Sequence, residues 1–253
     1  MNKMIVGKNI VKSFGQGNEK QIVLHNVSTE ISEGEFVAVM GPSGSGKSTL
    51  LFALSGMDSI DSGEVIFDNT KLSSLKEDEL SDLRRLKMGF VFQQPTMLKS
   101  LNILDNIILP TMRDQRKNTA KVIEKARGLM QKSGIANLEK RDITKVSGGQ
   151  LQRAGICRAL MQDPKVIFAD EPTGALDSKS AKDIMKLFLD INQRGTTLML
   201  VTHDAMVAAH SERILIMKDG RIVSELRLSK FDGENINRRV EEVTIQMRKI
   251  ETI

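Results

Sequence analysis

Short apolar runs alternate along this chain with stretches of helical spacing, the pattern of a parallel or mixed sheet flanked by helices. Strands are predicted at Met4–Val11, Ile22–Val27, Glu35–Met40, Glu64–Phe67, Gly89–Phe92, Val166–Ala169, Thr197–Val201, Arg213–Met217 and Arg221–Glu225. Lys218-Asp219-Gly220, between the last two, reads as a tight hairpin turn. Helices are predicted at Lys47–Leu54, Asp78–Leu86, Asn118–Ser133, Gly148–Met161, Ser178–Gln193 and from about Asn235 onward. Between Gln94 and Asp163 the signals are helical and no good strand appears. This predicts an α/β core from residues 1–93 and 164–229, a helical insert over 94–163, and a helical extension over 230–253.

In the extension, Ile236, Val240, Val243, Met247 and Ile250 share one helical stripe. Arg238, Arg239, Glu241, Glu242, Arg248 and Lys249 are assigned to the other faces, and residues 232–235 supply turn and cap. A helix this short is marginal alone, so the stripe must pack on something. It either folds back on the core or meets a second copy or a membrane partner.

Composition narrows the class. The 253 residues are 40% hydrophobic and 27% charged, ordinary globular values that argue against disorder. One cysteine, Cys157, excludes an internal disulfide framework and a cysteine-rich zinc site. No apolar run approaches the ~20 residues of a membrane helix, and residues 1–6 lack the apolar run of a signal peptide. The expectation is a soluble, cytoplasmic chain that reaches a membrane only through a partner or a surface contact. The net charge of +5 permits nucleic acid or anionic membrane as a partner, but surplus lysines solvating helix faces are the plainer explanation. With no tryptophan or tyrosine and nine phenylalanines, an aromatic base-stacking platform is not expected.

The chemistry begins at residues 41–48, Gly41, Pro42, Ser43, Gly44, Ser45, Gly46, Lys47 and Ser48, which match G-x-x-x-x-G-K-[ST]. The run follows a predicted strand and opens a predicted helix at Thr49, the context that motif requires. Its glycines let backbone N–H groups turn inward around phosphate oxygens, and the helix N-terminus adds partial positive charge. Lys47 is expected to reach the β- and γ-phosphates, and Ser48 to hold Mg²⁺. A second apolar strand ends in Asp170-Glu171. Asp170 at a strand's carboxyl end is expected to hold Mg²⁺ through water, and Glu171 to aim at the attacking water as general base.

Three further pieces define a resemblance. Residues 146–153, with Ser147, Gly148, Gly149 and Gln150, match the signature motif of ABC ATPases. His203 lies just beyond a strand, and Asp177 follows the acidic pair. Their order and spacing make the chain resemble an ABC transporter nucleotide-binding subunit over nearly all its length. The resemblance implies a P-loop NTPase fold of the ABC type, a RecA-like core with an antiparallel β subdomain and an inserted helical subdomain. It also implies that Gln93 senses Mg²⁺ and the γ-phosphate, and that His203 contacts the γ-phosphate and positions the catalytic carboxylate. Ser147 and Gly149 would bind ATP held by a second copy in an ATP-sandwich dimer, with Asp177 across the interface. Phe14 would stack on adenine, in place of the commoner tyrosine; the plainer reading makes it a core residue.

The runs 34–51, 89–94 and 168–180 most resemble the macrolide-export, lipoprotein-release and bacitracin-type peptide-antibiotic group, the last run and the tail favouring the peptide-antibiotic branch. That implies an integral membrane permease as partner, a place on the cytoplasmic face of the membrane, and export of or resistance to antimicrobial peptides. The partner is expected to dock after Gln93, where Met97, Leu98 and Leu101 either line its groove or pack the helical insert. The alternatives are a lipoprotein-release or cell-division subunit, or a soluble ABC ATPase acting on nucleic acid or another protein. No nucleic acid is expected for the main reading.

Overall fold

The computed structural model describes residues 2–114 and 118–251. Two sheets carry the fold. In the six-stranded one the order is β10 (Arg221–Arg227), β9 (Arg213–Lys218), β3 (Phe36–Met40), β8 (Thr197–Val201), β7 (Val166–Asp170) and β6 (Met88–Phe92). All neighbours in it are parallel except the β9–β10 hairpin, which turns through Asp219-Gly220. Every residue of β3 and β8 is buried, as expected of central parallel strands covered on both faces. Strand β10 alternates exposed and half-buried positions and forms an edge. The second sheet is antiparallel and four-stranded, in the order β2 (Gln21–Ser32), β1 (Lys3–Phe14), β4 (Ser62–Phe67) and β5 (Thr70–Lys71).

Helix α1 (Lys47–Leu54) is wedged between the sheets. Its Leu50, Leu51 and Leu54 are fully buried among Ile10, Leu24 and Phe67 of one sheet and Val39, Val201 and Leu215 of the other. On the opposite face of the large sheet, α5 (Gly148–Leu160) and α6 (Ser178–Gln193) bury Ile156, Ile184 and Phe188 against Val91, Ala169 and Leu198. A separate cluster joins α3 (Ile103–Met112), α4 (Thr119–Lys132) and α5 through Ile107, Val122, Ala126, Met130 and Cys157.

The predicted strands and helices all form, with α1, α6 and β8 at their predicted bounds. Among the described residues, the two-residue β5, α3, the single turn α7 (Ala205–Ala208) and several three-residue 3-10 turns were not foreseen. Helix α3 keeps Pro110 inside it and is capped by Asn102, whose side chain accepts from the Asp105 N–H.

The tail settles its own alternative. Helix α8 (Ile236–Glu251) folds back on the core. Val243 is 0% exposed, and Ile236, Val240, Met247 and Ile250 pack with it against Ala208, Ala209, Ile214 and Ile216. The stripe is therefore used within the chain, and the seam to a second copy or membrane partner is corrected. Arg239 is also corrected: it lies on the packed side, 7% exposed, rather than on a solvent face. No described helix is long and apolar enough to cross a membrane.

Candidate functional site

Sheet register assembles the site. Val39 pairs with Val201, Val201 with Asp170, and Asp170 with Phe92. The residues just beyond these positions therefore emerge side by side at the carboxyl ends of four adjacent strands. They are the loop opening at Gly41, the Thr202-His203 pair, Glu171 and Gln93.

The loop after β3 turns back on itself before α1. At Gly41 φ is +151°, and a Cβ there would collide with the carbonyl of Met217 on β9, so only glycine fits. Pro42, Ser43 and Gly44 are exposed at the crest, while Ser45 and Gly46 are buried and Thr49 half-buried. The Gly220 N–H donates to the Ser45 carbonyl at 3.1 Å, so the β9–β10 hairpin buttresses the loop. The Lys47 Nζ is folded onto the loop, donating to the carbonyls of Gly41 at 3.0 Å and Pro42 at 2.8 Å. Burial holds the Lys47 ammonium below its usual range, opposed by the Glu171 and Asp170 carboxylates. Ser45 Oγ is buried without a partner, a donor aimed at nothing within the chain. The first N–H groups of α1 have no intrahelical acceptor. A buried cation, an orphan hydroxyl and free helix N–H groups around one loop fit an anion of phosphate type.

Beside it, Ser48 Oγ donates to Asp170 Oδ1 at 2.8 Å. Burial pushes the Asp170 carboxyl above its usual value, aided by Glu171 and opposed by Ser48 and Lys47. Glu171 sits at φ +46° with its N–H bonded to the Val201 carbonyl at 2.9 Å. That conformation swings its side chain to His203, whose Nδ1 is 2.9 Å from Glu171 Oε1. Gln93 is exposed at the end of β6, and Gly174 permits its close approach: a Cβ there would come within 2.9 Å of Gln93 Nε2. The Gly174 N–H in turn donates to the Glu171 carbonyl at 3.0 Å. Lys47, Ser48, Gln93, Asp170, Glu171 and His203 thus form one neighbourhood.

The remaining predicted residues lie elsewhere in the fold. Ser147 caps α5 in a reciprocal box, its Oγ accepting from the Gln150 N–H at 3.3 Å and its N–H donating to Gln150 Oε1 at 2.9 Å. Gly148 lies against Leu176, and Gly149 against Ser180. Asp177 caps α6 by accepting from the Lys179 and Ser180 N–H groups, and those bonds hold its carboxyl low. Among the described residues no hydrogen bond joins Ser147 to the phosphate loop.

Phe14 is 46% exposed, which removes the core reading, and the Lys12 ammonium lies 4.9 Å from its ring centroid. After Gln93, Met97 packs into the helical cluster while Leu98 stays 51% exposed. Sequence reasoning missed Ser45 as an orphan donor and the hairpin as the loop's buttress; only the Asp219-Gly220 turn hinted at the second.

A glycine-rich phosphate loop between a buried strand and a helix, with an acid-terminated strand in the same sheet, defines a P-loop nucleotide hydrolase. The profile of the ABC transporter family matches residues 24–174. The macrolide export ATP-binding/permease protein MacB of Pasteurella multocida is 42% identical over 226 residues, 89% of this chain but 35% of that protein. The bacitracin export ATP-binding protein BceA of Halalkalibacterium halodurans is 40% identical over 219 residues, 86% of each. Among solved structures, a dimeric post-hydrolysis state of the ATP-binding cassette MJ0796 bound to ADP and phosphate superposes with a TM-score of 0.81 at 40% identity. It covers 90% of this chain and 100% of that one. The chain belongs to the ABC transporter family and is an ATPase of that family.

Proposed function

We propose that this chain hydrolyses ATP with Mg²⁺ as one of two identical subunits that close on nucleotide and drive a separate membrane permease. The phosphates would lie in residues 41–49, with Lys47 leaving the Gly41 and Pro42 carbonyls for the β- and γ-oxygens, and adenine would stack on Phe14. Ser48, Asp170 and Gln93 would hold Mg²⁺. Among the described residues no cluster of three acidic, histidine or cysteine side chains could cage a metal. One carboxylate, one hydroxyl and one carboxamide suit a cation that keeps waters and phosphate oxygens as its other ligands. When bound, Mg²⁺ supplies charge stabilisation on the phosphate oxygens.

The observation that carries the reading is the Glu171–His203 contact beside the Ser48–Asp170 pair. Glu171 would take the proton of a water attacking the γ-phosphorus, as the bond to the bridging oxygen breaks and ADP leaves. His203 would hold that carboxylate in line and donate to a γ-oxygen. Ser147, Gly148, Gly149 and Gln150 of the facing copy, at the N-terminus of α5, would complete the site by stabilising γ-phosphoryl charge, with Asp177 at the same interface. The helical unit of residues 94–163 would carry that signature as a body against the core of 1–93 and 164–229. The exposed Leu98 after Gln93 supports docking of the permease there, and such docking would put the chain at the cytoplasmic face of the membrane. The cargo class we favour is an antimicrobial peptide, in keeping with the bacitracin-export relative.

The test is Glu171→Gln. Binding of a fluorescent ATP analogue is expected to persist, while phosphate release falls by about 10²–10⁴. Near wild-type turnover in the variant would sink the assignment of the base.

A further inference from the structure

Helix α8 does more than cover apolar surface, because it buries a guanidinium. Arg239 Nε donates to the Ala209 carbonyl at 2.7 Å, Nη2 to the Ser211 carbonyl at 2.7 Å, and Nη1 to the Ser229 carbonyl at 2.8 Å. The Phe231 ring lies 5.2 Å from the guanidinium carbon. Burial holds the Arg239 pKa below its usual range, with Asp232 and Glu242 opposing from a distance. A buried cation is costly and is weak evidence for stability as such. What these bonds do achieve is to fix α8 relative to residues 209–211, through the Ala209 and Ser211 carbonyls, and to Ser229, in the planar fork geometry that lysine lacks.

Residues 209–211 are the far end of the segment that begins at His203. Asp204 caps α7, accepting from the Met206 N–H at 2.7 Å, and its own N–H donates to Thr202 Oγ1 at 3.0 Å. The single turn of α7 then runs directly into Ala209. Val207, Ala208 and Ala209 are buried, the two alanines beside Val243 of α8. The turn therefore links His203 at one end to the carbonyls that Arg239 grips at the other. At its far end α8 is tied a second time: Lys218 Nζ donates to the Ile250 carbonyl at 3.1 Å, at the root of the hairpin that buttresses the phosphate loop. One helix thus spans the segment bearing His203 and the wall of the phosphate loop.

We propose that Arg239 is a positioning residue for hydrolysis. It holds α7 in the place that sets His203 Nδ1 against Glu171, and α8 is part of the catalytic apparatus through this grip. The inference rests on the roles given above to Glu171 and His203. Its signature is a loss in kcat without a loss in ATP affinity, since Arg239 bonds the carbonyls of Ala209, Ser211 and Ser229 and lies by the Phe231 ring, none of them in the phosphate loop or at Phe14.

The experiment is steady-state ATP hydrolysis by the full chain, well below its melting temperature, for Arg239→Met, His203→Ala and the pair combined. Arg239→Met keeps apolar bulk and removes the donors. It is expected to lower kcat about ten-fold, the scale of a small misplacement at the reacting centre, with KM for ATP unchanged within about two-fold. In the His203→Ala background the same change should cost nothing further, because its effect passes through His203. A wild-type kcat for Arg239→Met, or an equal loss in both backgrounds, overturns the proposal alone. A wild-type kcat for His203→Ala overturns the reading of His203 and the proposal with it. Should Arg239→Met fail to fold, Arg239→Lys carries the test: a kcat lowered about three-fold at constant KM supports the grip, and a wild-type kcat overturns it.

Discussion

Asp170 and Lys47 are charged groups held where water is scarce, and both are shifted by burial toward their neutral forms. For Asp170 this costs stability whenever it must ionise. Between the unfolded value of about 3.9 and its raised folded value, the native chain holds a proton the unfolded chain has lost. Stability from this group therefore falls as pH rises through that window and stays lower above it. Asp170→Asn is expected to raise the Tm of the nucleotide-free protein at pH 7.5 by at least about 2 °C, with the gain shrinking as pH is lowered toward 4. The variant should lose most of the extra Tm that Mg²⁺ with ATP gives the wild type. Thermal melts across pH check both, and a lower Tm at pH 7.5 would contradict the burial argument. These residues were legible because an apolar strand ending in two acids, and a glycine run ending in Lys-Ser, are local patterns. Arg239 was not: by helical spacing it falls beside the apolar stripe, and only the carbonyls of residues 209, 211 and 229, set there by tertiary packing, make its burial possible.

At the scale of elements, the strands and long helices followed from periodicity alone, since the register of β3, β8, β7 and β6 needs only buried apolar runs. Helix α3 escaped because Pro110 reads as a breaker, although Asn102 three residues before Asp105 carried a cap signal. Elements as short as α7 and β5 have too few residues to show a period, and they exist because α8 and β4 pack or pair with them. The tail's stripe was plain in the sequence, but its partner was not, because a stripe says only that something covers it. With Val243 fully buried, Val243→Asp places a carboxylate in a closed apolar cluster. It is expected to destabilise the isolated chain by more than about 3 kcal/mol, read as a drop in denaturant midpoint. An unchanged midpoint would mean that α8 is not held to the core.

For the whole molecule, the decisive feature is what one chain does not join. Ser147 and Gly149 sit at the N-terminus of α5, with contacts to Gln150 and Ser180 rather than to the phosphate loop. A site that needs both must draw them from two chains. Mixing Lys47→Ala with Ser147→Arg subunits is accordingly expected to restore part of the ATPase activity each lacks alone. The mixed pair keeps one site whose phosphate loop and signature are both intact. Phosphate release on titrating one variant into the other measures this, and lesions acting within one chain would leave the mixture as inactive as its parts. The most direct test of the composite site is the mass of the Glu171→Gln protein in sedimentation velocity with and without ATP and Mg²⁺. Nucleotide is expected to convert it to a stable dimer, because binding persists while the step that releases the pair is blocked. An unchanged sedimentation coefficient under saturating ATP would contradict it.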